Sequence, residues 1–150
     1  MSRNPLSLLE FDKILARIST FGNSESTADL IGRITPLGDP DAIAERFGLV
    51  ADLRLIINDG LSLPLREFND ITRIVELARP RGAVLTPLDL ATLQPVLFMA
   101  GALRDQFGRR TDTVHLARRI SVIKGFPEIC EALEHAIAPE GELLDTASPL

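Results

Sequence analysis

The sequence predicts an all-α protein, an irregular bundle of about seven helices that leaves room for one short extended segment near the C-terminus. Apolar residues recur three and four positions apart along most of the chain, which is the spacing of one face of a helix. Two strong helix-start signals, Asp39-Pro40 and Thr86-Pro87, stand ahead of long apolar patterns. No segment shows the sustained alternation that is typical of a half-buried strand.

The first three predicted helices occupy the N-terminal third of the chain. The first carries an apolar stripe made of Leu8, Phe11, Leu15 and Ile18. Ser26 and Asp29 have the spacing of a capping box and predict the start of the second helix, which Pro36 is expected to close. Asp39-Pro40 opens the third helix and Asn58-Asp59-Gly60 ends it. Two faces of the third helix are apolar, which favours a central place in the domain: Ile43, Phe47, Val50 and Ile57 on one face, and Leu49, Leu53 and Ile56 on the other.

Four further helices are predicted after a loop that runs from Gly60 to Phe68. A short one covers about 70–79, with Ile71, Ile74, Val75 and Ala78 on its buried side. A long one runs from the capping box of Thr86 and Asp89 to Phe107, and Pro95 inside it predicts a kink near Ala91. The last two cover about 113–123 and 127–138. The expected inward residues of the long helix are Leu93, Val96, Leu97, Ala100, Leu103 and Phe107.

Composition is that of a soluble globular domain, and residues 1–150 are interpreted as a single helical domain. The chain has 150 residues, 45% hydrophobic, and a net charge of −5, which argues against a general nucleic-acid-binding face. The only cysteine, Cys130, excludes an internal disulfide and a cysteine-based zinc site. No apolar run is long enough for a signal peptide or a membrane span, so we expect no membrane partner, and the single cysteine is compatible with a reducing cytosol.

Charge is unevenly distributed towards the C-terminus. Residues 101–125 carry six basic and two acidic side chains, a net of +4, while 126–150 carry six carboxylates and no basic residue. These stretches are expected to pair with each other or to be solvated. The sharper alternative is weak contact with phosphate groups. The candidate residues for such contacts are Arg109, Arg110, Arg118 and Arg119.

No set of residues predicts a catalytic, cofactor or metal site. The phosphate-binding loop, the dinucleotide-binding glycine pattern and the His-Glu-x-x-His pair are all missing from the sequence. Glu131 and His135 share a helix face, but two such groups form an incomplete metal site. His115 has no Ser or Cys neighbour that would suggest nucleophilic catalysis. The carboxylates that follow the third helix start are interpreted as caps or solvated groups: Asp52, Asp59, Glu67 and Asp70.

The last eleven residues predict that the protein continues. Gly141 marks a turn, Leu143-Leu144 follows, and Ser148-Pro149 is a helix-start signal two residues before the sequence stops. We therefore expect this chain to be the front part of a longer protein.

Several phrases, taken in order, resemble the beginning of a MutS-family protein. They are Leu8-Leu9-Glu10-Phe11-Asp12-Lys13-Ile14, Thr35-Pro36 with Asp39-Pro40-Asp41-Ala42-Ile43, Gly60-Leu61-Ser62-Leu63-Pro64-Leu65 with Asn69-Asp70-Ile71, Gly82 to Leu90, and Glu140 to Pro149. The branch that they resemble lacks the mismatch-reading domain and carries a C-terminal nuclease domain. The chain departs from that branch at Asp89, where Glu is usual, at Pro95, and over 104–119.

The resemblance implies a non-catalytic helical core segment, the first part of a core and lever domain. The parent protein would be a cytosolic bacterial ATPase that dimerises, binds DNA and acts in DNA repair or in suppressing recombination. Its ATP, Mg²⁺ and nuclease sites would lie outside this segment, whose partners would be the lever and ATPase regions of its own chain. Such a segment is expected to expose a contiguous apolar face.

Two other functions remain open from the residues alone. One is a self-contained helical interaction module that holds a partner helix in a groove. The other is a small enzyme, which would require a pocket with convergent polar groups.

Overall fold

The computed structural model describes residues 9–147, and these form two compact units. The first contains 9–36 and Glu67–Asp70, and the second contains Leu37–Arg66 and the chain from Ile71 onward. Seven α-helices and one 3₁₀ turn make up the regular structure of these residues, which confirms the predicted all-α class.

The first unit is a helical hairpin. Helix α1 covers Phe11–Ser19 and α2 covers Glu25–Gly32. The amide of Phe68 donates to the carbonyl of Asn23 at 3.1 Å and so attaches the 67–70 segment to the turn between the helices. Leu15 is the buried residue of α1. The part of the predicted apolar stripe that falls on Leu8 lies outside the described residues.

The start of α2 corrects the predicted capping box. The cap is Ser24, whose hydroxyl accepts from the amide of Thr27 at 3.1 Å, and Ser26 lies inside the first turn. After the turn at Gly22-Asn23, Ser24 has the extended backbone that a cap requires. The helix therefore begins two residues earlier than expected. The helix also ends at Gly32, before Pro36 can act as its terminator.

The second unit contains five helices. They are α3 (Pro40–Asn58), α4 (Thr72–Ala78), α5 (Pro87–Phe107), α6 (Val114–Ser121) and α7 (Pro127–Ala136). The predicted caps of α3 and α5 are both present. The carboxylate of Asp39 accepts from the amides of Asp41 and Ala42, and Thr86 and Asp89 form the reciprocal capping box. Helix α5 continues through Pro95 to Phe107.

Helix α5 connects two apolar clusters. Its C-terminal half packs with α3 and α6 around Phe107 and Ile56, which are almost completely buried, together with Leu116 and Ile120. Its N-terminal half packs with α7 in a second cluster formed by Ala91, Leu133 and Ile137. The predicted inward face of α5 is therefore correct at Phe107, while Leu97 and Leu103 are partly buried against the two clusters.

The two apolar faces of α3 have different surroundings. Leu49, Leu53 and Ile56 pack into the first cluster. On the other apolar face Phe47, Val50 and Ile57 are 71%, 52% and 68% exposed, while Ile43 is half-buried. One apolar face of α3 thus lies in the core of the second unit, whereas three of the four residues on the other face are exposed.

The chain after α7 folds back on that helix. Ile137 and Leu143 form an isolated antiparallel bridge around a turn in which Gly141 adopts a φ of 84°. Residues Asp145–Ala147 form the 3₁₀ turn, and the Thr146 hydroxyl donates to the carbonyl of His135. The bridge is the extended piece that the sequence predicted there. The Ser148-Pro149 signal lies outside the described residues.

Candidate interaction surfaces

The basic stretch 101–125 is partly neutralised by carboxylates on α3, at the residue after α3, and within the stretch itself. Arg110 contacts the carboxylates of Asp59, at 3.1 Å, and Asp112, and Arg119 contacts Glu45 at 2.9 Å. Within 9–147, no ion pair joins 101–125 to the acidic residues that follow it. Of the two expected alternatives, pairing with each other or solvation, the described residues do not show the pairing. The reason is that α6 packs on α3, so the acidic residues of α3 are nearer.

The four arginines proposed for phosphate contact are thus in different situations. The two carboxylates hold the guanidinium of Arg110, and their hydrogen bonds raise its pKa further above its ordinary value. Arg119 is engaged with α3, and Arg118 lies 3.3 Å from Nδ1 of His115. Arg109 forms no ion pair with any of residues 9–147. Arg110, Arg118 and Arg119 thus have different partners, and phosphate contact stays a prediction.

Arg109 instead lines a groove between α5 and α7. The groove has a volume of about 720 Å³ and lies entirely within the second unit. Residues of α5 and of the turn that follows it form one wall: Leu97, Phe98, Gly101, Ala102, Arg104 and Asp105 on the helix, and Gly108 and Arg109 in the turn. The other wall comes from the end of α6 and the start of α7: Ser121, Gly125, Phe126, Pro127 and Cys130.

The groove lacks the features of an enzyme pocket. Its polar side chains are exposed at the rim, except for Cys130, which is half-buried. Burial and then the negative charge of Glu134 raise the pKa of the Cys130 thiol above its ordinary value, so it is not an activated nucleophile. A site for a small ligand needs convergent polar groups that fix its orientation, and none converge here.

Asp52, interpreted from the sequence as a cap or a solvated group, is a buried cap for a helix other than its own. This residue of α3 is only 6% exposed, and its carboxylate accepts from the amide of Leu116 at 2.9 Å. Leu116 lies in the first turn of α6, where amides have no partner inside the helix. Thr113, which precedes that helix, makes no side-chain cap. Asp52 therefore caps α6 from another helix, and only its position on the buried face of α3 hinted at this.

The other residues considered as candidates from the sequence lie in packing contacts, in ion pairs or on the surface. Nε2 of His115 lies against Gly48, where a Cβ atom would be 2.5 Å away. Glu131 and His135 are exposed on α7, and no group of three or more potential metal ligands occurs within 9–147. Of the carboxylates interpreted as caps or solvated groups, Asp59 pairs with Arg110. In this part of the chain, no helix combines the length and apolar character needed to cross a bilayer.

Comparison with known proteins points to one group of relatives. The chain is 31% identical over 153 residues to the endonuclease MutS2 of Thermomicrobium roseum and 30% identical over 150 residues to that of Solidesulfovibrio magneticus. It is 26% identical over 144 residues to the endonuclease MutS2 of Thermotoga maritima. The first two matches cover 99% of this chain and 19% of the relative, and the third covers 96% and 18%.

The chain thus spans about a fifth of the length of the curated relatives it matches. No protein-family model matches it, and no solved structure does. The agreement extends along almost the whole chain and recurs among MutS2 proteins of different bacteria. On this basis the chain corresponds to a segment, about a fifth in length, of a MutS2-type protein.

Proposed function

We propose that this chain is a non-catalytic helical core segment of a MutS-like DNA-binding ATPase that acts in DNA repair and in suppressing recombination. Polypeptide of the parent protein outside these 150 residues would cover the second apolar face of α3. The observation that carries this proposal is the exposure of Phe47, Val50 and Ile57 on a helix whose other apolar face is packed into the core.

Burial of the three exposed side chains on that face of α3 would stabilise the fold substantially. Burying one large apolar side chain stabilises a fold by about 1.5–3 kcal/mol, so three of them represent several kcal/mol that the described residues leave unused. Large contiguous apolar surfaces on a soluble domain usually mark an interface. The match to relatives about five times as long supplies a source for the covering polypeptide.

Two observations support a structural rather than a catalytic role. The buried polar groups Asp52 and Gln94 bind backbone groups, the amide of Leu116 and the carbonyl of Ile137. The relatives are named endonucleases, and this chain matches only a fifth of their length. We place ATP, Mg²⁺ and the nuclease chemistry of the parent outside this segment. We also propose that the parent is cytoplasmic and homodimeric, and that it contacts DNA mainly through other regions.

The test compares Phe47→Glu in this chain and in the parent protein, after the gene is read beyond Leu150. In the chain alone the substitution is on an exposed position and should change the free energy of unfolding by less than about 0.5 kcal/mol. In the parent it would bury an unpaired charge and should cost about 3 kcal/mol or more and reduce ATPase activity.

The matched control is Gln106→Glu, which introduces the same charge at an exposed polar residue of another helix, α5. It should be tolerated in both proteins. A reading frame that ends at Leu150, or a parent that tolerates Phe47→Glu as well as it tolerates Gln106→Glu, would disprove the proposal.

A further inference from the structure

The groove between α5 and α7 has a property that the packing of the described residues does not explain. Gly101 lies in the middle of α5, where glycine costs a helix about 1 kcal/mol relative to alanine. A Cβ atom built on Gly101 would meet nothing within 4 Å. Gly48, in the middle of α3, is different because the ring of His115 occupies the space beside it. The bare backbone at Gly101 therefore faces open groove.

The walls of the groove combine apolar surface with unpaired positive charge. Phe98 and Phe126 are 36% and 40% exposed and line it on opposite sides. Arg104 and Arg109 line it as well, and neither forms an ion pair with another residue of the described chain. One carboxylate, Asp105, lies beside them, so the groove keeps a net positive charge.

These features suit a helix better than a small ligand. An apolar ridge on a partner helix can enter between the aromatic rings, and it can approach α5 closely where Gly101 has no side chain. Carboxylates on the flank of that helix would lie near the guanidinium groups of Arg104 and Arg109. A small ligand would find no buried polar group to orient it.

We propose that this groove binds a partner helix with an apolar ridge and an acidic flank, crossing α5 at Gly101. The proposal is independent of the proposed function, since it concerns a different face of the second unit and does not require a longer parent chain.

The test uses two synthetic helical peptides and the 150-residue protein. Both carry the same leucine ridge, and their flanks carry glutamates in one and lysines in the other. Fluorescence anisotropy of the labelled peptides measures binding. Surface pairs between the peptide glutamates and the two arginines should add modestly to the binding free energy. The glutamate peptide should therefore bind roughly fivefold more tightly than the lysine peptide. It should also slow alkylation of Cys130, the groove's only cysteine.

Substitutions locate the site. Arg104→Glu should reverse the preference between the two peptides, whereas Arg81→Glu, the same charge change on an exposed loop outside the groove, should leave it unchanged. Gly101→Leu should block binding of the glutamate peptide. Gly32→Leu is its matched control, because Gly32 is also a helical glycine with nothing within 4 Å of a Cβ atom and is not part of the groove.

Three results would overturn the proposal. The first is equal binding, or no binding, of the two peptides. The second is binding that Gly101→Leu and Arg104→Glu both leave unchanged while circular dichroism shows the variants folded. The third is protection of Cys130 that increases with the concentration of the protein alone, which would identify a second copy of the chain as the occupant. The Phe47→Glu test of the proposed function is unaffected by any of these results.

Discussion

Replacing Asp52 tests whether one buried carboxylate holds α3 and α6 together. Asp52→Ala removes the acceptor of the Leu116 amide, which is buried in the native structure. A buried donor left without a partner costs about 1–3 kcal/mol. Loss of a negative charge at the N-terminal end of a helix adds about 0.3–1 kcal/mol. We therefore expect Asp52→Ala to lower the free energy of unfolding by about 2–3 kcal/mol.

Asp52→Asn separates the two contributions. Its amide oxygen can still accept from Leu116, so only the charge is lost and the expected cost is below about 1 kcal/mol. Because the protein has no Trp or Tyr, unfolding by urea is best followed by far-UV circular dichroism.

Hydrogen exchange gives a local measurement of the same effect. A loss of 2 kcal/mol corresponds to roughly thirtyfold faster exchange of the Leu116 amide in Asp52→Ala, since about 1.4 kcal/mol is tenfold. Equal stability of the alanine and asparagine variants, or an unchanged exchange rate at Leu116, would refute the reasoning that Asp52 caps α6.

Two further predictions concern Gly48 and Asp89. Gly48→Ala should not raise the free energy of unfolding while His115 is present, because the added Cβ would lie 2.5 Å from its ring. In a His115→Ala background the same substitution should raise the free energy of unfolding by about 0.5–1 kcal/mol. Urea unfolding of the four proteins of this cycle measures the difference, and an equal gain in both backgrounds would contradict the packing. Hydrogen bonds from the side chain and backbone of Thr86 hold the pKa of Asp89 below its ordinary value of 3.8. The ionised carboxylate therefore stabilises the fold above pH 3.8, and this stabilisation is lost as the pH falls through the lowered pKa. Asp89→Asn should therefore lower the melting temperature at neutral pH, and its deficit should shrink in acid below pH 3.8; a deficit that persists unchanged in acid would show that Asp89 does not act through its charge.

Local signals in the sequence predicted the helices well where the cap is itself local. Asp39-Pro40 and Thr86-Pro87 place the cap, the proline and the first turn within four residues, and both helices begin as expected. The prediction failed at Ser26, where Ser24 offered a second hydroxyl close by. Choosing between two nearby serines depends on the geometry of the preceding turn, which sequence spacing does not contain.

Burial was harder to predict than helix position. The two apolar faces of α3 are equivalent as patterns, yet Ile56 is almost completely buried and Phe47 is largely exposed. Periodicity shows that a residue lies on an apolar face, but the neighbours that cover the face come from distant parts of the chain. The groove between α5 and α7 is hidden from sequence analysis for the same reason, because its two walls come from different helices.

By itself, the sequence determined the all-α class, the order of the helices and the resemblance to the MutS family, because these depend on spacing and phrases along the chain. Only the tertiary structure decided which carboxylates bind which groups. Asp52 caps a helix whose Leu116 lies 64 positions further along the chain, and Asp59 and Glu45 pair with Arg110 and Arg119, for which the acidic C-terminal stretch was one expected partner. Charge and hydrogen-bonding capacity are written in the sequence, but the partner is set by which surfaces the packing of apolar side chains brings within about 3 Å.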